Sequence, residues 1–546
     1  MPGVHVPGVA PLSNTAYLAS HRVRETITTA LGRVLDERPV DPVTALGEAL
    51  LEASKTTDAA YAAAVKYIFS NADFSGSAKR YQKPQENWQR FETLLDHLGQ
   101  PYRKLKVVHI AGTNGKGTTS ALCDAMLRAS VPPTASVGLF TSPHLHSFRE
   151  RIRVDGRLVD KTSVVDALNV VQPAVEQLGY ASPFEKLTAL ALVIFTHAGC
   201  EWAVMETGLG GRWDCTNHCA PLVCGITRVG LDHMNVLGST IGAIANEKAG
   251  IIKASTPVFA VPQHEDALPV ITNAATQQGA PLVVVESPIA DGATLPFWLS
   301  PRHQQHNAAM ARAMLGSLYE RGHLAGGGAP MRSRAAAEAA WTLAIDALAW
   351  PCRFEVFGGL EGASPTVSLM VDVAHNEPAI EALLASVTAA WPDTPCALIF
   401  GANFDKDVQS IVAKIRGLPN LVLGVAVQSS HPKAVPTKQI LDAVTTAAAT
   451  GTGAGTTGTD TGTGAGTGAG TGGASAAPWL EAASMGDALA RAIVAVDAPT
   501  RGGLVVCCGS VFVAADMREV LAEKQPSLFA HGDWVFDAAA EPALLM

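Results

Sequence analysis

The chain has 546 residues, 48% of them apolar and 16% charged, with a net charge of -9. That length is too great for one ordinary core and argues for two domains. The acidic balance gives no general electrostatic reason to hold nucleic acid, and no uncharged run is long enough to span a bilayer. The near pairs among nine cysteines, Cys215 with Cys219 and Cys507 with Cys508, lack the spacing of a zinc site and read as reduced thiols, most of them small core residues.

The N-terminus has no basic segment leading into an apolar run, so secretion is not expected. Arg22 and Arg24 precede the first acid, Glu25, which gives a faint likeness to an organellar presequence. Residues 1–58 read as a disordered or lineage-specific extension, and the expected location is cytoplasmic with room for a minor mitochondrial pool. Trp88, Phe91, Leu94, Leu95 and Leu98 then fall at helical spacing. Residues 106–110 read as a buried strand running straight into a glycine-rich loop, with a helix over 118–129. Short apolar runs follow at 135–140, 202–205, 222–229, 258–261 and 282–285, with helical stretches between most of them. This alternation predicts an α/β domain with a mostly parallel sheet covered by helices.

Residues 322–333 are rich in glycine and proline, and an alanine-rich stretch runs on to 349. A second α/β set has its strands at 368–371, 397–400, 421–427 and 504–508. The expected domains are therefore 59–349 and a smaller Rossmann-like one at 350–546. Residues 445–477 are almost entirely Thr, Gly and Ala. Such side chains build no core, so the block reads as a disordered surface insertion in the second domain.

The loop Gly112-Thr113-Asn114-Gly115-Lys116-Gly117-Thr118 lies between a strand and a helix. Backbone N–H groups and a helix N-terminus make an anion cradle there, with Lys116 in reach of the outer phosphates of a nucleotide. Thr118 or Thr119 would cap the helix or approach magnesium. Gly117 stands where the usual nucleotide loop has Ser or Thr. Glu206 closes an apolar run, where a carboxylate faces the crevice beyond the sheet's carboxyl edge. His233 follows another run. Taken singly, a strand-end acid is more often solvated and a turn histidine more often satisfied locally. Lys248, in Asn-Glu-Lys-Ala, reads as part of a solvated, salt-bridging helix face.

These segments, taken together, resemble the folylpolyglutamate synthase and dihydrofolate synthase family of the Mur ligase superfamily. The loop's Gly-Lys-Gly-Thr ending resembles the folate branch. So do Thr141-Ser142-Pro143-His144, Phe184-Glu185-Lys186-Leu187-Thr188, Glu206 to Asp214 with Thr216-Asn217, Gly230-Leu231-Asp232-His233, Glu247-Lys248-Ala249-Gly250, Arg353-Phe354-Glu355, Asp372-Val373-Ala374-His375-Asn376 and Asp405-Lys406-Asp407. The resemblance covers about residues 80–440 and 500–525 and implies a P-loop Mur-ligase-like first domain. It implies ATP on Asn114, Gly115, Lys116, Gly117, Thr118, Asn307, Arg353 and Asp372, the last three across the domain junction. It also implies magnesium on Ser142, Glu206 and His233, and a carbamate on Lys248 that helps to organise a second magnesium. A monovalent cation such as K+ is a further cofactor compatible with the resemblance.

By the same resemblance, His375 and Ser510 would lie near incoming L-glutamate, and Phe184, Thr188, Gly211 and Arg212 near the pterin of a folate. Lys116, Lys248 and His375 would be the catalytic groups. The implied reaction is ATP-driven joining of L-glutamate to a folate by a monomer, without nucleic-acid or membrane partners. Dihydrofolate synthase and a bifunctional enzyme are the nearest rivals. A peptidoglycan-type ligase is disfavoured by the Gly-Lys-Gly-Thr loop and the Phe-Glu segment. A catalytically dead scaffold is disfavoured by Lys116, Glu206, His233 and Arg353 occurring together. Glu377 stands where the family often has proline, which leaves that turn open.

Overall fold

The computed structural model describes residues 23–37, 41–70, 83–286, 289, 295–324, 334–450, 477–498 and 502–529. The chain divides into two compact units. The N-terminal unit holds Pro2–Pro296 and Gln304–Trp350, and the C-terminal unit holds Phe297–His303 and Pro351–Ala530.

The N-terminal unit is built on an eight-stranded sheet of β1 (Lys106–Ala111), β2 (Ser136–Phe140), β3 (Ile152–Val154), β4 (Arg157–Leu158), β5 (Cys200–Glu206), β6 (Pro221–Ile226), β7 (Val258–Ala260) and β8 (Leu282–Val284). Its order is β4-β3-β2-β5-β1-β6-β7-β8. All pairings are parallel except the short β2-β3-β4 edge. β1 and β5 are buried almost throughout, as strands covered on both faces must be. The connection from β5 to β6 passes over β1, so the loops after β1, β5 and β6 share one carboxyl edge. The apolar runs of the sequence place every strand except β3 and β4, which are too short to show a period.

Of the expectation that residues 1–58 form a disordered or lineage-specific extension, it is disorder that does not hold in their described part. Helices run from Val23 to Glu37 and from Pro42 to Ile68, the second straight across position 58. Asp41 caps that helix by accepting from Val43 N and Thr44 N at 3.1 and 3.2 Å, and Pro42 suits its first position. Tyr61, Ala64, Val65 and Ile68 recur every three or four residues and are buried in the core of this unit. Asp58 pairs with Lys161 at 2.8 Å. Residues 1–22 lie outside the described residues.

The C-terminal unit carries a six-stranded sheet of β9 (Glu355–Gly358), β10 (Val367–Val371), β11 (Cys396–Phe400), β12 (Leu421–Ala426), β13 (Trp479–Glu481) and β14 (Gly503–Cys508), in the order β13-β12-β11-β14-β10-β9. Only β9 runs antiparallel. Of the Thr-Gly-Ala block, residues 445–450 belong to the helix Thr437–Thr450, because alanine sustains a helix that a docked apolar face has begun. Its remaining residues 451–476 lie outside the described residues. The turn at Glu377 is a helix start: Asn376 accepts from Ala379 N at 3.1 Å, Pro378 occupies the first turn, and Glu377 pairs with Lys414 at 3.3 Å.

Candidate active site

The loop after β1 needs its glycines. Gly112 has φ 148, and a Cβ there would stand 1.8 Å from Thr227 Oγ1. Gly115 has φ 97, and a Cβ there would stand 2.4 Å from Asn307 Oδ1, on the helix Arg302–Glu320. Glycine alone tolerates both the backbone and the close approach. Asn114 N donates to Arg228 O at 3.1 Å, which ties the loop to the end of β6. Lys116 opens the helix Lys116–Ser130 and folds back, donating to Gly112 O and Thr113 O at 3.1 and 3.3 Å. The Thr118 hydroxyl, one turn in, is buried and has no hydrogen-bond partner.

Lys248 is not on a solvated face. It is buried on the helix Ile241–Ala249 and donates to Gly112 O at 2.7 Å, the same carbonyl that Lys116 holds. Burial is the main reason that its pKa falls to about 7, and the Lys116 charge adds to it, against Asp232, Asp214 and Glu247. The loop after β5 pins this helix. Arg212 N donates to Glu247 O at 2.8 Å, and a Cβ on Gly211 would stand 2.8 Å from the carbonyls of both Glu247 and Lys248. The structure therefore places Gly211 and Arg212 as packing partners of the Lys248 helix. Asp214 shapes their loop: Oδ2 accepts from Gly208 N and Leu209 N at 3.0 Å, and Oδ1 from the Thr216 hydroxyl at 2.6 Å. With that proton committed, His109 Nε2, 2.9 Å from Thr216 Oγ1, carries the proton it donates there. Burial holds His109 neutral, its pKa lowered to about 3.

Glu206 is buried at the end of β5, and its Oε2 accepts from Ser142 N at 3.0 Å. Ser142 leads into a segment shaped by Glu150, which accepts from Leu145 N, His146 N and Ser147 N at 2.7, 2.8 and 2.9 Å. His233 is exposed in a left-handed turn, with Nε2 4.0 Å from Asp232 Oδ1. Among the described residues, no three of His, Cys, Asp and Glu converge as a ready-made metal cluster. The oxygen donors nevertheless fit magnesium: a buried carboxylate at Glu206 and an unpartnered buried hydroxyl at Thr118. Trp350, which the motifs do not single out, borders the same place. A Cβ on Gly117 would lie 3.5 Å from its Nε1 and 3.7 Å from Glu206 Oε2, and Arg153 sits over its ring at 5.8 Å.

Phe184 is buried in the first turn of the helix Pro183–His197, its ring 2.4 Å from where a Cβ on Gly208 would stand. Thr188 donates its hydroxyl to Phe184 O at 2.8 Å, within its own helix. In the C-terminal unit, Asp372 is buried and accepts from Phe354 N and Ala374 N, both at 2.8 Å. Burial raises its pKa, and Arg353 opposes the shift. His375 Nδ1 lies 2.8 Å from Val373 O. A carbonyl only accepts, so Nδ1 bears the proton of this contact. Ser510 is buried as the cap of the helix Val511–Lys524, accepting from Phe512 N at 3.0 Å.

The glycine-rich loop after β1 thus lies beside the buried Lys248, which bonds Gly112 O, and the buried Glu206, which nears Gly117, in a chain that continues into a second α/β unit. The Mur ligase middle domain matches residues 110–308, and the Mur ligase glutamate ligase domain matches residues 352–511. The dihydrofolate synthase/folylpolyglutamate synthase of Bacillus subtilis is 31% identical over 380 residues, 65% of this chain and 84% of that protein. The folylpolyglutamate synthase of Lacticaseibacillus casei is 30% identical, over 64% of this chain and 82% of that protein. The Mycobacterium tuberculosis folylpolyglutamate synthase complexed with ADP superposes with a TM-score of 0.67 at 25% identity, over 85% of this chain and 98% of that one. The chain belongs to the dihydrofolate synthase/folylpolyglutamate synthase family and is an acid–amino-acid ligase. No helix among the described residues is long and apolar enough to cross a membrane.

Proposed function

We propose that the chain uses ATP to join L-glutamate to the γ-carboxylate of a tetrahydrofolate, working as a cytoplasmic monomer. The observation that carries this is the convergence of Lys116 and Lys248 on one loop carbonyl, in a chain of this family. Rotation of the Lys116 side chain would carry its ammonium from Gly112 O to the outer phosphates of ATP. There it would stabilise charge as the γ-phosphoryl group passes to the folate carboxylate. The glutamate amine would then attack the acyl phosphate and release phosphate.

Ser142, Glu206 and His233, with the Thr118 hydroxyl, would hold magnesium, which when bound would supply positive charge to offset that of the phosphates. Asn307, which lies against Gly115, is a proposed ATP contact, as are Arg353 and Asp372. His375 and Ser510 would lie near the incoming glutamate, with His375 among the catalytic groups. Phe184 and Thr188, with Gly211 and Arg212, would border the pterin side. A pKa of about 7 leaves Lys248 substantially neutral near neutral pH, the form that adds carbon dioxide to give a carbamate.

A second reading, a bifunctional enzyme that also acts on dihydropteroate, is favoured by the paired name of the Bacillus relative. Phosphate release with ATP, magnesium and L-glutamate separates the readings. Turnover with tetrahydrofolate alone supports the first, and turnover with both substrates supports the second. Turnover with dihydropteroate alone would replace both with dihydrofolate synthase, and silence with both would refute the folate assignment.

A further inference from the structure

The C-terminal unit enters β9 through a turn that carries Arg353. The residues on either side of it are left-handed without being glycine: Cys352 at φ 54 and Phe354 at φ 52. A side chain is crowded by its own backbone there, and a bulky ring persists in such a conformation only where the surroundings impose it. Both amides are held by carboxylates. Cys352 N donates to Glu355 Oε2 at 2.9 Å, and Phe354 N donates to Asp372 Oδ2 at 2.8 Å. Val373 N donates to Cys352 O at 3.1 Å, so the turn is fastened to the end of β10. The Arg353 guanidinium donates back to Cys352 O at 3.1 Å.

Asp372 is fixed by its own strand end, but Glu355 depends on a partner from far along the chain. Its Oε1 is ion-paired with Arg518 NH1, on the helix Val511–Lys524. The Arg518 side chain is 1% exposed, and its guanidinium lies over the rings of Phe357 and Phe529 at 5.7 and 4.9 Å. A buried charge held this closely to one carboxylate fixes where that carboxylate points. The carboxylate in turn fixes the Cys352 amide, one residue before Arg353.

We infer that Glu355 and Arg518 are positioning residues for Arg353: the pair holds the strained turn in the one conformation that aims the Arg353 guanidinium. This rests on the reading of Arg353 as a contact of the ATP phosphates. A pair that served folding alone would lower the melting temperature and leave the ATP dependence of turnover unchanged.

The test is a double-variant cycle in the full chain, reading phosphate release against ATP concentration with tetrahydrofolate and L-glutamate saturating. Arg518→Met should raise KM for ATP about tenfold, and Arg353→Ala as much or more. The double variant should be no worse than Arg353→Ala, and Arg518→Lys should recover part of the loss. Glu355→Gln, which keeps shape and removes charge, is carried through the same two backgrounds and decides the matter if Arg518→Met does not fold. Equal fold-losses with and without Arg353, or an unchanged KM in Arg518→Met, would overturn the positioning role alone. An unchanged ATP dependence in Arg353→Ala would overturn the reading of Arg353 and the positioning role with it.

Discussion

The two units hold their left-handed turns by opposite means. In the N-terminal unit the loop after β1 is left-handed at Gly112 and Gly115, where the missing side chain admits Thr227 and Asn307. In the C-terminal unit the turn before β9 is left-handed at Cys352 and Phe354, where side chains are present and two carboxylates, the buried Asp372 and the half-buried Glu355, hold the backbone. A glycine turn costs conformational entropy and needs no outside support. A side-chain turn stores strain and persists only with its clamps. The first is written locally in the sequence, and the second depends on residues far apart in the chain.

The largest effect is expected where the glycine turn is filled. In Gly112→Ala, a methyl group would have to displace Thr227 or the loop itself. Phosphate release should fall by roughly 100-fold, since a shift of about 1 Å at a phosphate site has that scale. Initial rates beside a melting curve check this, and a near-normal rate would show that the loop has slack. Next comes Glu206→Gln, which keeps an acceptor for Ser142 N and removes the charge. The magnesium concentration for half-maximal turnover should rise by about tenfold or more. An unchanged magnesium curve would move the metal away from Glu206.

How much of this was readable follows the same division. The strand–loop–helix around Lys116 was legible because glycine, lysine and the bounding apolar run are adjacent. Glu206 was legible because it ends an apolar strand. Lys248 was legible as a residue and misread as an environment: a nine-residue helix with Asn and Glu beside the lysine looks solvated. Burial there comes from Gly211 and Arg212, over thirty positions away. Trp350 was missed because nothing next to it in the chain mentions Gly117 or Arg153. The docked helix Pro42–Ile68 was not legible because its first half carries only a weak stripe: Ala45, Leu46, Ala49, Leu50 and Ala53 recur at helical spacing, but they are half-buried and mostly small.

The buried lysine gives the third effect, a dependence on pH. Its pKa is about 7 in the folded chain against 10.5 unfolded. Between those values the unfolded chain binds a proton that the folded chain does not, so stability increases with pH across that window. Below it both states are protonated, and the penalty of burying the ammonium is complete. Lys248→Met lacks the group. The stability of the natural chain minus that of the variant should therefore rise from pH 7 toward 10.5, in urea titrations with carbon dioxide excluded. A flat difference would mean that the ammonium keeps its charge beside Gly112 O.

The smallest effect bears most directly on the two kinds of turn. Alanine at position 352 removes the buried thiol and keeps the left-handed strain. Glycine removes both. At an ordinary position glycine is the less stable of the two, through its freedom in the unfolded chain. At φ 54 the order should reverse, with Cys352→Gly more stable than Cys352→Ala by about 1 kcal/mol, the scale of one left-handed residue relieved. Urea midpoints at equal m-values measure the difference. The glycine variant should also lean less on the clamp, so that Glu355→Gln costs it less than it costs the natural chain. If alanine is instead the more stable, or the two lose equally with Glu355→Gln, the turn before β9 is not held against strain, and its likeness to the glycine loop of the other unit is closer than its residues suggest.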